Sequence, residues 1–150
     1  MKLPILILCH NKQELILPKQ VIAASPTLQD LEICLVDNSS TDGSLERLQH
    51  IPEYCPEIGL LRIHKHKQET AAVRAGARFM FTRSRHSCLG YLQLRERPLH
   101  QLLLAIAAHK EEILEHQRRS EQQSKRVSTR HQLFAIPQSL LRAVTDKQLI

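Results

Sequence analysis

The sequence predicts an α/β fold, with a mostly parallel sheet and helices on both of its faces. Three observations carry that prediction. Four short apolar runs alternate with four segments of helical spacing, the order that builds βαβ units. The first runs are continuously apolar, as strands covered on both faces are. They end in polar loops, where open α/β sheets bind their ligands.

The elements follow in order. Leu3 to Cys9 is the first strand, and His10-Asn11-Lys12 is its exit loop. Helical spacing from Gln13 to Ala24 turns Leu15, Val21 and Ile22 inward. Pro18 has no amide hydrogen to give, so the helix starts or bends there. Ser25-Pro26-Thr27 is a break, and Leu31 to Val36 is the second strand. Thr41 or Asp42 caps a helix from Ser44 to His50, with Leu45 and Leu48 inward. A loop over 51–56 leads to a third strand, Ile58 to Ile63, and a polar connector, His64 to Glu69. Thr70 caps a helix through Phe81 that turns Val73, Ala77 and Met80 or Phe81 to one side. Cys88 to Leu92 is the fourth strand. Leu99, Leu102, Leu103, Ile106, Ile113 and Leu114 then mark one helix running to Arg119. The chain divides into a domain over 1–114, a polar linker or frayed helix end over 115–132, and a C-terminal helical segment over 133–150 docked on the sheet.

Composition narrows the function. Of the 150 residues, 42% are apolar and 24% charged, so a packed core is expected. Aromatics are 3% and Trp is absent, which argues against a nucleic-acid reader that stacks bases. Residues 1–75 carry 8 Lys+Arg against 9 Asp+Glu, whereas residues 76–150 carry 13 against 6. The basic second half either attracts phosphates or is a solvated surface. Cys9, Cys34, Cys55 and Cys88 form no C-x-x-C pair. A reducing compartment, no disulfide framework and no zinc site are expected. No run is long enough to span a membrane, and the apolar opening is not a signal peptide. The expected location is cytoplasmic.

The run Ile33-Cys34-Leu35-Val36-Asp37-Asn38-Ser39-Ser40-Thr41-Asp42-Gly43-Ser44 carries the most chemistry. It sets acids and hydroxyls at the carboxyl end of a strand, a place to recognise hydroxyl-rich or phosphorylated small molecules. Asp37 in that position is an acceptor for ligand donors, or it caps the turn that follows.

The motif order resembles the nucleotide-binding half of the family 2 glycosyltransferases. There a first strand ends in a polar residue and Asn, as in Leu8-Cys9-His10-Asn11. A second ends in Asp-Asp-Gly-Ser-Thr-Asp-Gly or a variant, as in Asp37 to Gly43. A helix carries Arg-Asn-x-Gly, weakened here to Val73-Arg74-Ala75-Gly76. The resemblance covers roughly residues 3–110. It implies a truncated GT-A, Rossmann-like fold that binds a UDP- or GDP-linked sugar. Cys9, His10, Asn11, Asp37 and Ser39 would hold the nucleoside, with the Asp37 carboxylate opening into a crevice. Arg74 would sit near the diphosphate.

One departure matters. The family's fourth strand ends in Asp-x-Asp, which holds a divalent ion against the diphosphate. Here Gln93 and Arg95 stand at those places, within Leu92-Gln93-Leu94-Arg95-Glu96-Arg97-Pro98. An Arg there repels a cation, so no metal cofactor is expected. Either Arg95 and Arg97 bind the phosphates directly, or transfer has been lost and a binding or interaction protein remains. No general base is identifiable; Glu111, Glu112 and Glu115 read as a solvated face. A partner protein supplying the acceptor half is a further expectation. His64-Lys65-His66-Lys67 pairs two imidazoles, an incomplete ligand set that reads as a surface loop. Arg83, Arg85 and His86 form a basic loop, and Arg118-Arg119 with Lys125-Arg126 form basic pairs that steer an anionic partner or keep the chain soluble.

Overall fold

In a computed structural model, residues 2–83, 88–123 and 132–141 are described. They form a sheet of five parallel strands in the order β3-β2-β1-β4-β5. The strands are β1 (Leu3–Cys9), β2 (Leu31–Asn38), β3 (Gly59–Ile63), β4 (Cys88–Gln93) and β5 (Gln132–Ala135). The helices are α1 (Pro18–Ala24), α2 (Ser44–Tyr54), α3 (Glu69–Arg83), α4 (Leu99–Ala108) and α5 (Lys110–Gln123).

β1 is the central strand, and all seven of its residues are buried. Its alternating side chains feed two cores. Ile5, Ile7 and Cys9 join Val21 of α1, Leu48 and Ile51 of α2, and Leu99, Leu103 and Ile106 of α4 on one face. Leu6 and Leu8 join Ala72, Val73, Ala77 and Met80 of α3 on the other. The sheet is therefore covered on both sides, which is why its strands read as unbroken apolar runs. Gly76 lets α3 settle onto the sheet. A Cβ there would strike Leu6 and come within 3.0 Å of Val36 Cγ2.

Several boundaries differ from the sequence reading, each for a local reason. Pro18 opens α1, its fixed φ suiting a first helical position. A short 3-10 turn, Gln13–Leu15, precedes it, and another, Ser25–Leu28, fills the expected break. β2 runs two residues further than expected, because Asp37 and Asn38 still pair with Arg62 and Ile63. α2 continues through Pro52 to Tyr54, where the expected loop began. Ile51 is fully buried and its carbonyl still accepts the Cys55 amide at 2.9 Å. The single long helix after β4 is two. It breaks at His109, whose amide is shared by the Ala105 and Ile106 carbonyls, each at 3.1 Å.

The C-terminal segment is the largest correction. Residues 132–135 form β5, not a helix, and only 138–141 are helical among the described residues beyond it. Gly90 of β4 explains the docking: a Cβ there would meet Phe134 and Ile136, so the missing side chain makes their seat. Arg85, His86, Lys125 and Arg126 lie outside the described residues.

Candidate functional site at the carboxyl end of the sheet

From β1 the chain crosses to β2 on one side, while β4 lies on the other. The ends of β1 and β4 thus frame a topological switch point, where open α/β sheets form a crevice. A cavity of about 140 Å³ lies there, lined by Leu8, Cys9, His10, Asn38, His66, Lys67, Gln68, Glu69 and Gln93. Such a volume accepts a flat ring; pockets that take a whole drug-sized ligand run to roughly 300–1,000 Å³.

Next to it, two loops are tied together by hydrogen bonds across the β1 and β2 ends. Asn11 (φ 49°) and Ser39 (φ 57°) both take left-handed backbone, which Asn tolerates better than most residues. The Asn11 amide donates to Ser40 Oγ at 3.0 Å, and Asn11 Oδ1 accepts the Thr41 amide at 2.7 Å and the Asp42 amide at 3.3 Å. Lys12 donates to Ser44 Oγ at 2.9 Å, and Gln13 Oε1 accepts the Gly43 amide at 2.7 Å. Asp42 Oδ1 accepts the Ser44 amide at 2.8 Å, and its Oδ2 accepts the Gln13 amide at 3.2 Å. Partial desolvation works against the Asp42 carboxylate, but the hydrogen bonds from Ser44 and Gln13 outweigh it and hold its pKa below the ordinary range.

The wall comes from Asn38. Its Nδ2 donates to the Lys67 carbonyl at 2.8 Å and its Oδ1 accepts the Lys67 amide at 3.0 Å. Ser39 Oγ donates to the His64 carbonyl at 3.1 Å. The loop between β3 and α3 is thereby fixed beside the end of β1. His10 Nδ1 lies 2.7 Å from the Asn38 carbonyl oxygen, which makes that nitrogen the donor. The His10 and His66 rings meet edge to face at 4.6 Å.

A second cavity of about 170 Å³ continues along the β4 end, lined by Gln93, Arg95, Glu96, Arg97, Leu102 and Gln138. Gln93 is common to both cavities.

The sequence-predicted residues therefore separate. Cys9 and His10 line the first cavity, and Arg95 and Arg97 line the second. Asn11 and Ser39 spend their polar groups on the loops. Arg74 stands exposed on α3 and lines neither cavity. Asp37 corrects the sequence reading: its side chain does not open into a crevice. It is 1% exposed, and Oδ2 accepts the Ser40 amide at 3.2 Å. Its even spacing with Ile33 and Leu35 turns it to the face that α2 covers. Oδ1 is buried with no hydrogen-bond partner. Gln68, Glu69 and Gln138 were not singled out from the sequence. Asn38 was named only within the second-strand motif, in the place of its second acid, and His66 and Lys67 only within a segment read as a surface loop.

The chain matches the family described as Glycosyl transferase family 2 over residues 5–85, just over half its length. It belongs to glycosyltransferase family 2. That region takes in β1, β2, β3 and α3, and with them both hydrogen-bonded loops and the Asn38 wall. The β4 end, where members of the family carry their acidic pair, lies beyond it. A comparison with curated proteins finds no significant match.

A divalent ion does not suit the residues of this glycosyltransferase-family chain at that end. The groups facing the second cavity are two guanidinium-bearing residues, two amides and one exposed carboxylate. Mg²⁺ needs several oxygen ligands in octahedral array. Among the described residues no three His, Cys, Asp or Glu side chains gather as a cation site. No described helix is long and apolar enough to cross a membrane.

Proposed function

We propose that this chain binds a nucleotide-sugar, UDP- or GDP-linked, across the carboxyl ends of β1, β2 and β4. The observation that carries the reading is the cavity walled by His10, Asn38 and the Lys67–Glu69 segment at the switch point of a family 2 glycosyltransferase sheet. A base fits its volume. The imidazoles of His10 and His66 offer ring faces, and the amides of Gln68 and Gln93 with the Glu69 carboxylate offer hydrogen-bonding partners.

Transfer of the sugar to an acceptor hydroxyl is the activity that goes with such binding. On this reading a partner protein contributes the acceptor half. A second reading, binding without transfer, is favoured by Gln93 and Arg95 standing where the family has acids. Thermal-shift titration with UDP, GDP and their nucleosides tests the binding that both readings share. Raised melting temperatures with at least one of them support it; no response to any of them removes it.

A further inference from the structure

We infer that the second cavity is a cation-independent site for a diphosphate-type oxyanion, with Arg97 as its principal ligand and Arg95 and Gln138 at its rim. Only the identity of the natural ligand, the diphosphate of a nucleotide-sugar, rests on the function proposed above.

Arg97 lines the cavity, and its Nη1 is buried without a hydrogen-bond acceptor. A guanidinium nitrogen taken out of water with nothing to donate to is an unfavourable arrangement, and a small turn of this half-buried side chain towards an oxyanion in the cavity would relieve it. Guanidinium groups match paired oxygens on phosphate in a way a lone ammonium does not. Arg95, exposed at the mouth, adds a second positive charge.

The surroundings agree in sign. α4 begins at Leu99, just after Arg97, with no acidic residue in its first turn and no side chain capping its first amides. Its positive end therefore lies close in the chain to the residues that line the cavity. Glu96 is the opposing charge; it is exposed like Arg95, so solvent screens the two alike and the half-buried Arg97 carries the site. Gln138 arrives from the segment after β5, so the site is closed by a part of the chain beyond the family match.

Position ties this site to the first one. Gln93 forms a wall of both cavities, so a ligand with a ring in one and a diphosphate in the other runs along a single trough. The positive charge that a metal ion supplies elsewhere comes here from side chains.

The test is calorimetric titration of the full chain with inorganic pyrophosphate, first in EDTA and then with Mn²⁺. The inference expects binding in EDTA; because Mn²⁺ itself complexes pyrophosphate, adding it is expected to leave the affinity the same or weaker, never to be required for binding. Arg97→Gln weakens it about tenfold or more, the scale of a lost charge-assisted hydrogen bond. Should Arg97→Gln not fold by circular dichroism, Gln138→Glu at an exposed position places a repelling carboxylate at the rim. It is expected to weaken pyrophosphate by a similar factor. Pyrophosphate that does not bind in EDTA, or that ignores both substitutions, overturns the inference. Uridine, guanosine, UDP and GDP are titrated alongside. Pyrophosphate binding without any nucleoside or nucleotide response would uphold this site and remove the nucleotide reading. UDP or GDP binding only with Mn²⁺ would do the reverse.

Discussion

The side-chain amide of Asn38 holds the main chain of Lys67 at both its carbonyl and its amide, at 2.8 and 3.0 Å. Asn38 ends β2, and Lys67 lies 29 residues on, in the loop before α3. The pair resembles one more rung of a β-ladder made by a side chain. Asn supplies a donor and an acceptor at once; an ionised Asp supplies acceptors only. This contact places Lys67, Gln68 and Glu69 around the first cavity.

Replacing Asn38 by Ala leaves the Lys67 peptide without its partners. A loss of about 1–3 kcal/mol is expected in urea unfolding. Asn38→Asp keeps the bond from the Lys67 amide but sets a carboxylate against the Lys67 carbonyl, so it too is destabilising. Wild-type stability for both variants would mean that the loop is held by other contacts.

Asp37→Asn separates architecture from ligand contact. The variant keeps an oxygen for the Ser40 amide and removes a charge that is 1% exposed. Folding stability is expected to stay within about 1 kcal/mol or to rise. Affinity for UDP or GDP is expected to stay unchanged, because Asp37 lines neither cavity. A marked loss of affinity would bring Asp37 into contact with the ligand.

Gly76→Ala tests why that glycine stands in α3. The added methyl would meet the fully buried Leu6 and Val36. Overpacking of this kind costs about 1–3 kcal/mol, more than the small gain in helix propensity. A variant with a raised melting temperature would contradict the close approach of α3 to the sheet.

The thiols give a pH prediction. Burial, and then the charge of Asp37, push the Cys9 thiol far above its ordinary range. Cys34 is pushed up to about 12, chiefly by burial, with Arg83 lowering and Glu32 raising it. Both stay protonated in the fold at pH values where an unfolded thiol, near 9.0, has ionised. Their contribution is therefore complete below about pH 9 and declines as pH rises towards 12. Urea midpoints should fall between pH 8 and pH 10, and a thiol reagent at neutral pH should reach the half-buried Cys88 before Cys9 or Cys34. Rapid labelling of Cys9 in the native protein would contradict its burial.

Much of the fold was legible because burial on both faces leaves a plain mark. β1 came out residue for residue, since seven consecutive residues are all in the core. β5 left no such mark. It is four residues long, alternately half-buried and exposed, and what recruits it is Gly90, more than forty residues earlier. The site was half legible. The acids and hydroxyls after β2 were correctly set at a strand's carboxyl end, yet their partners could not be read. Asn11, Ser39 and Asp42 satisfy backbone amides and carbonyls of neighbouring loops. Asp37 was expected to open into a crevice because it stands at a strand's carboxyl end, whereas strand alternation turns it inward.

The most direct test is amide mapping by ¹⁵N–¹H NMR of the labelled chain during titration with UDP and with GDP. Binding at the switch point predicts saturable shifts of the Cys9, His10, Asn38, Lys67 and Gln68 amides, with the far edge of the sheet unmoved. Shifts confined to other surfaces, or no shifts at millimolar nucleotide, would contradict a nucleotide site at the ends of β1, β2 and β4.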